Sequence, residues 1–551
     1  MSREVDRLDS VVRDSPTSQH TDPDTDAPLV NLFFSPFAYI WPHERLEIAF
    51  RNALRSNGDS LIVIRCGGQC WQLCHVKHSV GEAETGRKSE LCRRCQSVAK
   101  VGTKGNELCW LGGPLQESPT SSSSETPSEL QKRLKRYVIH DYLLVNRKRF
   151  GDLSQDDHIE ITNALLEAQQ IYSSLRDVLQ RNNISKVFYY NDVYAVNRIA
   201  KHLAEEFDIE TQNLNLSPVP HRMHDRFVLS NSREDLLLRQ KINRHCPPLT
   251  HKDSRKIEKA LKFQMAGKSP FLYSAPSTRR SKIKGSRAID FLLILSSHDE
   301  MESLKYLLDD GLQGAEYDQA ETVKWFLHLA QDNPDKTFVI RPHPREFKND
   351  RHRRASSHAN ELLSQLRDVP ANVSVDSPEL RTPLFDQIRI SKLILFTWSS
   401  AGLDSLLLGK RVACSTPNAL TWCPSELFDI ISSQEDLQAF FENTSRFGPD
   451  PEKQLHALRW YAWFLRQSHD GFSWIRYRWS PSRVLQGIFG KFGSFNGRLL
   501  VAFRKFESVF ARPVKLDPAS EASSTFWPQE GANANELALL KRLRQNGMAR
   551  R

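Results

Sequence analysis

Short apolar runs alternate with amphipathic stretches along most of the chain, and this alternation predicts an α/β fold. Apolar runs of four to eight residues predict strands, and longer runs with apolar residues every three to four positions predict helices. A strand, a helix and a second strand in direct succession begin a parallel sheet. The predicted elements of the first half are, in chain order, 29–34, 43–56, 61–65, 155–181, 186–190 and 192–207.

The same alternation resumes at residue 288 and continues to residue 415. All connections there are helical and all strands are short and apolar, which is typical of a parallel sheet covered on both faces. We therefore predict two Rossmann-like domains with a cleft between them. The predicted strands of the second domain are 288–295, 337–341, 372–375, 392–396 and 411–415.

Changes in composition set the predicted domain boundaries. Residues 1–27 are rich in Ser, Asp, Thr and Pro and have no periodicity, so we predict that they are disordered. A charged stretch at 233–287 predicts a helical linker. The other predicted units are a first Rossmann-like domain that contains a cysteine-rich insertion, a second Rossmann-like domain, and a basic helical C-terminal extension, at 28–232 (insertion 66–110), 288–430 and 431–551.

The chain carries an excess of positive charge. Its 76 Lys and Arg residues outnumber 66 Asp and Glu residues, which gives a net charge of +10 over 551 residues. This excess favours anionic partners, such as nucleotide phosphates, lipid headgroups, nucleic acid or acidic polymers, without choosing among them. The N-terminus has no apolar signal-peptide core, and no apolar run approaches the ~20 residues of a membrane span. We therefore expect a cytoplasmic protein.

The first candidate binding motif is Arg341-Pro342-His343-Pro344-Arg345, at the carboxyl end of a predicted strand. Ligands of open α/β sheets bind outside the carboxyl ends of the strands. Arg341, His343 and Arg345 can donate hydrogen bonds to phosphate oxygens, and the prolines stiffen the backbone between them. The structural alternative is a rigid turn without a ligand.

The second candidate motif follows the predicted strand 392–396 and opens a helix. Helix N-termini present backbone N–H groups and partial positive charge, which suits phosphate. Ser399 and Ser400 add hydroxyl donors, and Gly402 permits the close approach of a ligand. Asp404 can accept hydrogen bonds from ribose or sugar hydroxyls. We expect this motif on the strand next to the first motif; the structural alternative is an ordinary Ser N-cap.

Together with the segment Gly409-Lys410-Arg411-Val412, these two motifs resemble the C-terminal half of bacterial capsule polysaccharide biosynthesis glycosyltransferases. This group of GT-B type enzymes includes the capsule Kdo transferases and, more distantly, the CDP-glycerol glycerophosphotransferases. The resemblance covers the second Rossmann-like domain, and the N-terminal half matches only in pattern.

The resemblance implies a donor site for a nucleotide-sugar that is CMP-, CDP- or UDP-linked. It assigns His343, Ser399 and Ser400 to the donor phosphate and Asp404 to the ribose or the sugar. The family has Glu at the position of Asp404, so the carboxyl group of this chain reaches less far toward the nucleotide.

An inverting sugar transfer needs a base that deprotonates the acceptor hydroxyl. In the architecture that the resemblance implies, the base comes from the first domain, across the cleft. His43 and Glu44 open the helix that follows the first strand, and they are the predicted catalytic residues. The structural alternative is that His43 caps the helix and Glu44 complements its dipole.

Six of the nine cysteines cluster between residues 66 and 109. Cys92 and Cys95 are separated by two residues, which is the spacing of a metal-binding cysteine pair. With a second pair of ligands nearby they could form a closed tetrahedral zinc site, and an iron–sulfur cluster fits the same ligands. Either group would be structural. The alternative is a set of reduced, partly buried thiols. The predicted metal ligands are Cys66, Cys70, Cys74, Cys92 and Cys95, with His75 as a further option.

Residues 471–513 combine Lys and Arg with many aromatic side chains. Such a segment suits a membrane surface at the inner face of the cell membrane. A helix that packs its aromatic residues inward is the structural alternative, and nucleic acid is the least favoured partner.

The expected function is metal-independent transfer of a sugar from a nucleotide-activated donor to a growing surface polysaccharide or related glycan, including a lipid-linked acceptor. One alternative is a glycerophosphotransferase or a sugar-nucleotide epimerase on the same fold. The other is a non-catalytic, membrane-associated assembly protein.

Overall fold

The computed structural model contains two α/β units, each built on its own sheet, and confirms the predicted fold class. The cysteine-rich insertion and the domain boundaries stay predictions. The structure describes residues 30–40, 44, 47–48, 50–51, 54–55, 60–80, 88–103, 107–111, 127–221, 226–243, 246–268, 288–306, 319–348, 355–376, 382–416, 422–443, 450–467, 469–470 and 531–547. The disorder predicted for residues 1–27 and the membrane contact predicted for 471–513 lie outside the described residues.

The first sheet has seven strands in the order β13–β6–β5–β4–β1–β2–β3. The five strands from β5 to β3 are parallel, and β6 and β13 are antiparallel to their neighbours. The two antiparallel strands at this edge, β6 and β13, were not predicted from the sequence. The strands are β1 Val30–Phe34, β2 Leu61–Cys66, β3 Glu107–Leu111, β4 Ile184–Tyr190, β5 Glu210–Leu216, β6 Arg226–Ser230 and β13 His469–Asp470.

The second sheet has six parallel strands in the order β12–β11–β10–β7–β8–β9. The two candidate motifs follow β8 and β10, and β7 lies between these two strands. The expectation that the motifs lie on neighbouring strands is therefore wrong, and the loop after β7 separates them. The strands are β7 Ile289–Ile294, β8 Phe338–Arg341, β9 Val373–Val375, β10 Ser391–Phe396, β11 Arg411–Cys414 and β12 Asp429–Ile430.

Helices cover both faces of each sheet. Along β1, Leu32 and Phe34 enter one apolar core while Phe33 enters the other, because successive strand residues point to opposite faces. The described helices are α1 His75–Val80, α2 Lys88–Gly102, α3 Pro127–Asn146, α4 Gln155–Arg181, α5 Ala195–Glu206, α6 Arg233–Ile242, α7 His251–Met265, α8 His298–Leu304, α9 Gln319–Asp332, α10 Ala359–Gln365, α11 Leu384–Ile390, α12 Ala401–Leu407, α13 Gln434–Glu442, α14 Pro451–Arg466 and α15 Ala534–Gly547. Within the described parts of the chain, no helix is long and apolar enough to cross a membrane.

The chain after the second sheet contributes to both domains. Helices α14 and α15 pack into one core of the second sheet, while β13 pairs with β6 of the first. Arg459 and Glu536, both buried, join the two helices: Nε and Nη2 of Arg459 lie 2.7 and 3.0 Å from the two carboxylate oxygens. The backbone N–H of Leu249 donates to the same carboxylate.

Replacing Glu536 by glutamine should reduce stability at neutral pH and matter less in acid. Burial alone would raise the pKa of Glu536, but hydrogen bonds from Arg459, Asn533 and Leu249 hold it below its ordinary value. The carboxylate therefore stabilises the fold fully above the unfolded pKa of ~4.3, and this contribution is lost as the pH falls through the folded pKa. We expect a loss of about 3 kcal/mol at pH 7 in urea unfolding.

The matched control is Glu258→Gln, which breaks a more exposed ion pair with Arg542 between α7 and α15. Exposed pairs contribute less than about 1 kcal/mol, so this variant should unfold close to wild type. An equal loss for Glu536→Gln at pH 7 and at pH 3 would contradict the role assigned to the charge.

Candidate functional site

Three loops meet at the carboxyl edge of the second sheet, after β7, β8 and β10. Ser296 ties two of them together: its hydroxyl accepts hydrogen bonds from the Thr397 hydroxyl and the Trp398 N–H, both at 2.7 Å. Its own N–H donates to Gln319 at 2.9 Å. These hydrogen bonds therefore hold the loops after β7 and β10 together, and the loop after β8 lies beside them.

His343 is held by its own loop. A short 3-10 helix, Pro344–Glu346, follows it, and the N–H of Arg345 donates to Nδ1 of His343 at 3.3 Å. Burial lowers the pKa of His343 to about 4, so the imidazole is neutral at pH 7. With Nδ1 accepting, the ring proton is on Nε2, and His343 adds no positive charge to this edge of the sheet.

The two arginines of the first motif bind carboxylates of the protein. Nη1 of Arg341 lies 2.6 Å from Asp376 and 2.8 Å from the Gln387 side-chain oxygen. Nε of Arg345 lies 2.8 Å from Asp299. Both arginine side chains are buried. This geometry gives them structural roles and offers no support for the predicted contacts with a phosphate.

The second motif lies where the sequence predicts it, at the start of α12. Ser399 is half-buried and its hydroxyl accepts from the N–H of Ala401 at 3.2 Å. Ser400 is exposed, and its side chain makes no capping hydrogen bond. No capping hydrogen bond therefore fixes the orientation of the Ser400 hydroxyl, and this group can rotate toward a ligand.

Gly402 is explained by packing. A Cβ atom at this position would lie 2.5 Å from the ring of Phe396, far inside van der Waals contact. The Phe396 ring is fully buried against Phe428, with 4.8 Å between the ring centroids. The close approach that Gly402 permits is therefore the approach of Phe396, which corrects the expectation that it makes room for a ligand.

Gly402→Ala should destabilise the protein by about 1–3 kcal/mol, because overpacking forces a buried ring or the helix to move. Chemical unfolding of the purified variant measures this loss. Gly151→Ala is the control, since a Cβ atom there meets nothing within 4 Å. Unfolding midpoints that are equal for the two variants would contradict the packing role.

Four buried polar groups near the ends of β10 and β11 have no partner among the described residues. The Asp404 carboxyl is 5% exposed, and burial alone raises its pKa to about 7. Nε1 of Trp398, the Ser415 hydroxyl and the Tyr461 hydroxyl are buried and equally without a hydrogen bond. We call these four groups the β10–β11 polar cluster.

Chain connections and packing bring these groups to one side of the sheet. Trp398 and Ser415 directly follow β10 and β11, and Asp404 lies in the first turn of α12. Tyr461 is on α14, which packs against α12. Burial and then the nearby Asp404 carboxylate raise the pKa of Tyr461. Because buried polar groups are nearly always hydrogen-bonded, four without partners among the described residues make this cluster a candidate contact for a polar ligand.

An acidic cluster lies at the ends of β7 and β8. Burial raises the pKa of Glu300 to about 7; Arg345 opposes this shift, and Asp299 and Glu346 add to it. Burial would raise the pKa of Glu346 too, but hydrogen bonds, including one of 2.6 Å from the His298 N–H, lower it to about 2. The cluster therefore pairs a carboxylate that stays ionised with a carboxyl group that titrates near neutrality.

On the side of the first domain, Glu44 is fully buried. Its two carboxylate oxygens lie 2.8 Å from Nη1 and Nη2 of Arg65, and Arg51 is 3.4 Å away. A carboxylate held by two guanidinium groups is a weak base, so this geometry corrects the expectation that Glu44 acts as one. His43, the other predicted base, lies outside the described residues.

His75 and Asp141 form a pair that sequence reasoning did not identify as a site. Nε2 of His75 lies 2.9 Å from the Asp141 carboxylate, which also accepts from the Ala195 N–H at 3.0 Å. The His75 ring packs on Tyr194, with 3.8 Å between centroids, and Phe37 lies edge-on at 5.5 Å. Phe37 and Tyr194 follow β1 and β4, so the pair lies at the carboxyl edge of the first sheet.

The helix that carries Asp141 also contacts the second domain. Nδ1 of His140 donates to the Ser303 carbonyl at 2.9 Å, and Arg345 donates to the Leu144 carbonyl. Helix α3 thus connects the His75–Asp141 pair to the loops at the edge of the second sheet.

No protein-family model and no curated protein matches the chain. Solved structures similar to it include UDP-GlcNAc 2-epimerase from Neisseria meningitidis bound to UDP-GlcNAc, at 15% identity over 78% of this chain and 93% of that chain, with a TM-score of 0.27. Another is KpsC, a beta Kdo 2,4 transferase from Thermosulfurimonas dismutans, at 17% identity, 47% and 79% coverage and a TM-score of 0.31.

A third is the spinosyn rhamnosyltransferase SpnG, at 11% identity, 79% and 96% coverage and a TM-score of 0.27. Resemblances at this level carry no argument about activity, and the function of the chain is inferred from its own geometry.

The predicted metal ligands do not form a metal site. Within the described part of the chain, which includes all five cysteines, no three His, Cys, Asp or Glu side chains lie close enough to share a metal ion. Cys92 and Cys95 lie on α2, and the cysteines of the cluster are free thiols. The prediction of zinc or an iron–sulfur cluster therefore has no support from the geometry.

Three members of the β10–β11 polar cluster carried no sequence signal. Trp398 and Ser415 follow apolar strands, which predicts their location but not their unmet hydrogen bonds. Tyr461 lies in an amphipathic helix and resembles any core tyrosine. The signal for the His75–Asp141 pair is similarly weak, since 66 residues separate its members.

Proposed function

We propose that the protein is a glycosyltransferase that binds a nucleotide-sugar at the carboxyl edge of the second sheet. The β10–β11 polar cluster carries this proposal. A ribose offers two adjacent hydroxyl groups to a carboxylate, and Asp404 is a buried carboxyl group without a partner. The indole N–H of Trp398 and the hydroxyls of Ser415 and Tyr461 supply further hydrogen bonds to oxygen atoms of a nucleotide.

The donor phosphates would lie toward Ser399, Ser400 and His343, beside the loop after β7. Ser400 offers its hydroxyl group, and His343 lies beside it as a neutral imidazole rather than a charge. Backbone N–H groups and these donors can stabilise the negative charge on the leaving nucleotide without a metal ion. The donor would be CMP-, CDP- or UDP-linked.

The His75–Asp141 pair supplies the base in this proposal. A carboxylate hydrogen-bonded to an imidazole fixes the orientation of the ring and stabilises its protonated form, as a general base requires. The pair lines a small cavity in the first domain, together with Tyr142 and Glu160. An acceptor hydroxyl, from a surface polysaccharide, a related glycan or a lipid-linked glycan, would lose its proton there.

Isothermal titration with CMP, CDP, UDP and GDP tests the donor site. We expect one of them to bind wild-type protein, and Asp404→Asn to weaken its Kd by about 10–100-fold, because hydrogen bonds to a charged group contribute ~1.5–3 kcal/mol. Asp335→Asn, an exposed aspartate of the same domain, should bind like wild type. Failure of all four nucleotides at millimolar concentration would remove the proposal.

A sugar-nucleotide epimerase is the second candidate, and the acidic cluster favours it. Glu300 has a pKa raised to about 7 beside the ionised Glu346, which is the type of pairing that removes and returns a proton on a sugar carbon. The two reactions differ in their need for an acceptor. NMR of the bound nucleotide-sugar without acceptor would show a second sugar epimer for an epimerase and none for a transferase.

A further inference from the structure

The loop from Cys66 to Cys70 encloses the sulfur of Cys66. The N–H of Gly68 donates to this sulfur at 3.2 Å, and the N–H groups of Gln69 and Cys70 point to it as well. The Cys70 thiol also donates a hydrogen bond to it. Four donors around one sulfur atom favour the thiolate over the thiol.

Two glycines give the loop this shape. A Cβ atom on Gly67 would lie 2.6 Å from the Leu111 carbonyl oxygen, and Gly68 has a φ of +109°, in the left-handed region. The side chain of Gln96 on α2 donates to the Gly67 carbonyl at 2.8 Å and fastens the loop. The arrangement around Cys66 is therefore built into the fold.

The two thiols differ in exposure in the way expected of an attacking cysteine and a resolving cysteine. Cys66 is partly exposed at the carboxyl end of β2, whereas Cys70 is 1% exposed. In the pair, the Cys70 thiol is the hydrogen-bond donor and the Cys66 sulfur is the acceptor, which is the arrangement expected when Cys66 is the attacking thiolate.

We propose that Cys66 and Cys70 are a reversible dithiol–disulfide pair, in which Cys66 reacts with small disulfides and Cys70 resolves the product. This assignment takes the place of the predicted metal site, because the structure pairs these thiols with each other and, among the residues it describes, gathers no third ligand.

The reaction has two exchange steps. The Cys66 thiolate attacks one sulfur of a small disulfide, which forms a mixed disulfide and expels one thiolate. The expelled thiolate takes the proton of the Cys70 thiol. The Cys70 sulfur then attacks the Cys66 sulfur, forms the Cys66–Cys70 disulfide and expels the second thiolate, which takes a proton from water. Two protein thiols are oxidised and one small disulfide is reduced to two thiols.

The test treats reduced, full-length protein with oxidised glutathione, blocks the remaining thiols with iodoacetamide and maps the tryptic peptides by mass spectrometry. We expect the peptide that starts at Cys66 to lose two alkylatable thiols, with Cys74 still alkylated. Added dithiothreitol should restore both thiols.

Two variants separate the roles. Cys70→Ser should stop at the mixed disulfide, with one glutathione on Cys66, and Cys66→Ser should leave Cys70 unmodified. Cys109→Ser, outside the loop, should behave like wild type. Glutathione spread evenly over the exposed cysteines, or stoichiometric zinc in the purified protein that is lost in Cys70→Ser, would overturn the proposal.

Discussion

Arg65→Met is expected to lower the free energy of unfolding by about 3–5 kcal/mol. The guanidinium group is fully buried, makes two hydrogen bonds of 2.8 Å to Glu44, and donates to the carbonyl and the hydroxyl of Ser35 at 2.8 and 2.6 Å. Without it, the Glu44 carboxylate stays buried and keeps the more distant Arg51, 3.4 Å away, among the described residues. Removing one member of a buried ion pair leaves an uncompensated charge, which is the costly outcome.

Urea unfolding, monitored by circular dichroism, measures this loss. Two further variants serve as its control and as a test of the charge pairing. Glu210→Gln breaks an exposed ion pair with Lys186 on the same sheet and should change stability by less than about 1 kcal/mol. The double variant Arg65→Met/Glu44→Gln removes both charges and should recover part of the loss. If Arg65→Met unfolds like Glu210→Gln, the buried pair does not stabilise the first domain as proposed.

Asp141→Asn and His75→Ala are each expected to reduce turnover by about 10²–10⁴-fold while nucleotide binding stays near wild type. Asparagine keeps the size of the side chain but cannot stabilise a protonated His75. The nucleotide site is in the other domain, so its Kd should not move. This separation of turnover from binding distinguishes a base from a residue that merely supports the fold.

The measurement uses the nucleotide identified by titration, with release of that nucleotide from its sugar conjugate as the readout. His158→Ala, an exposed histidine at the start of α4, is the matched control and should keep full turnover. Wild-type turnover in either variant of the pair would instead favour His43 as the base.

Local sequence patterns predict β7 to β11 of the second domain closely: the predicted strand 392–396, for example, differs from the observed Ser391–Phe396 by one residue. In the first domain, the helix predicted at 155–181 is observed as Gln155–Arg181, and a capping box at Ser154 begins it. These features follow from local periodicity and local hydrogen bonds, which neighbouring residues specify. The second candidate motif was located for the same reason, since a strand end and a helix start are local events.

The local sequence pattern misplaced the start of one helix. The helix predicted from 192 begins at Ala195, because Asp192 bonds to Asn213 on β5 and Asn191 takes a positive φ of 50°. Here a contact with a distant strand delays the start of the helix by three residues.

Tertiary packing selects which buried polar residues bind one another and which are left without a partner among the described residues. The sequence patterns suggested that Arg341 binds a phosphate and that Glu44 is a base. In the structure, Arg341 binds Asp376, 35 residues away, and Glu44 binds Arg65, 21 residues away. Tertiary packing also placed β7 between the two motif strands and brought Tyr461 to Asp404. The physical reason is that a charged side chain can pair with many distant partners, and chain packing alone selects the one it meets.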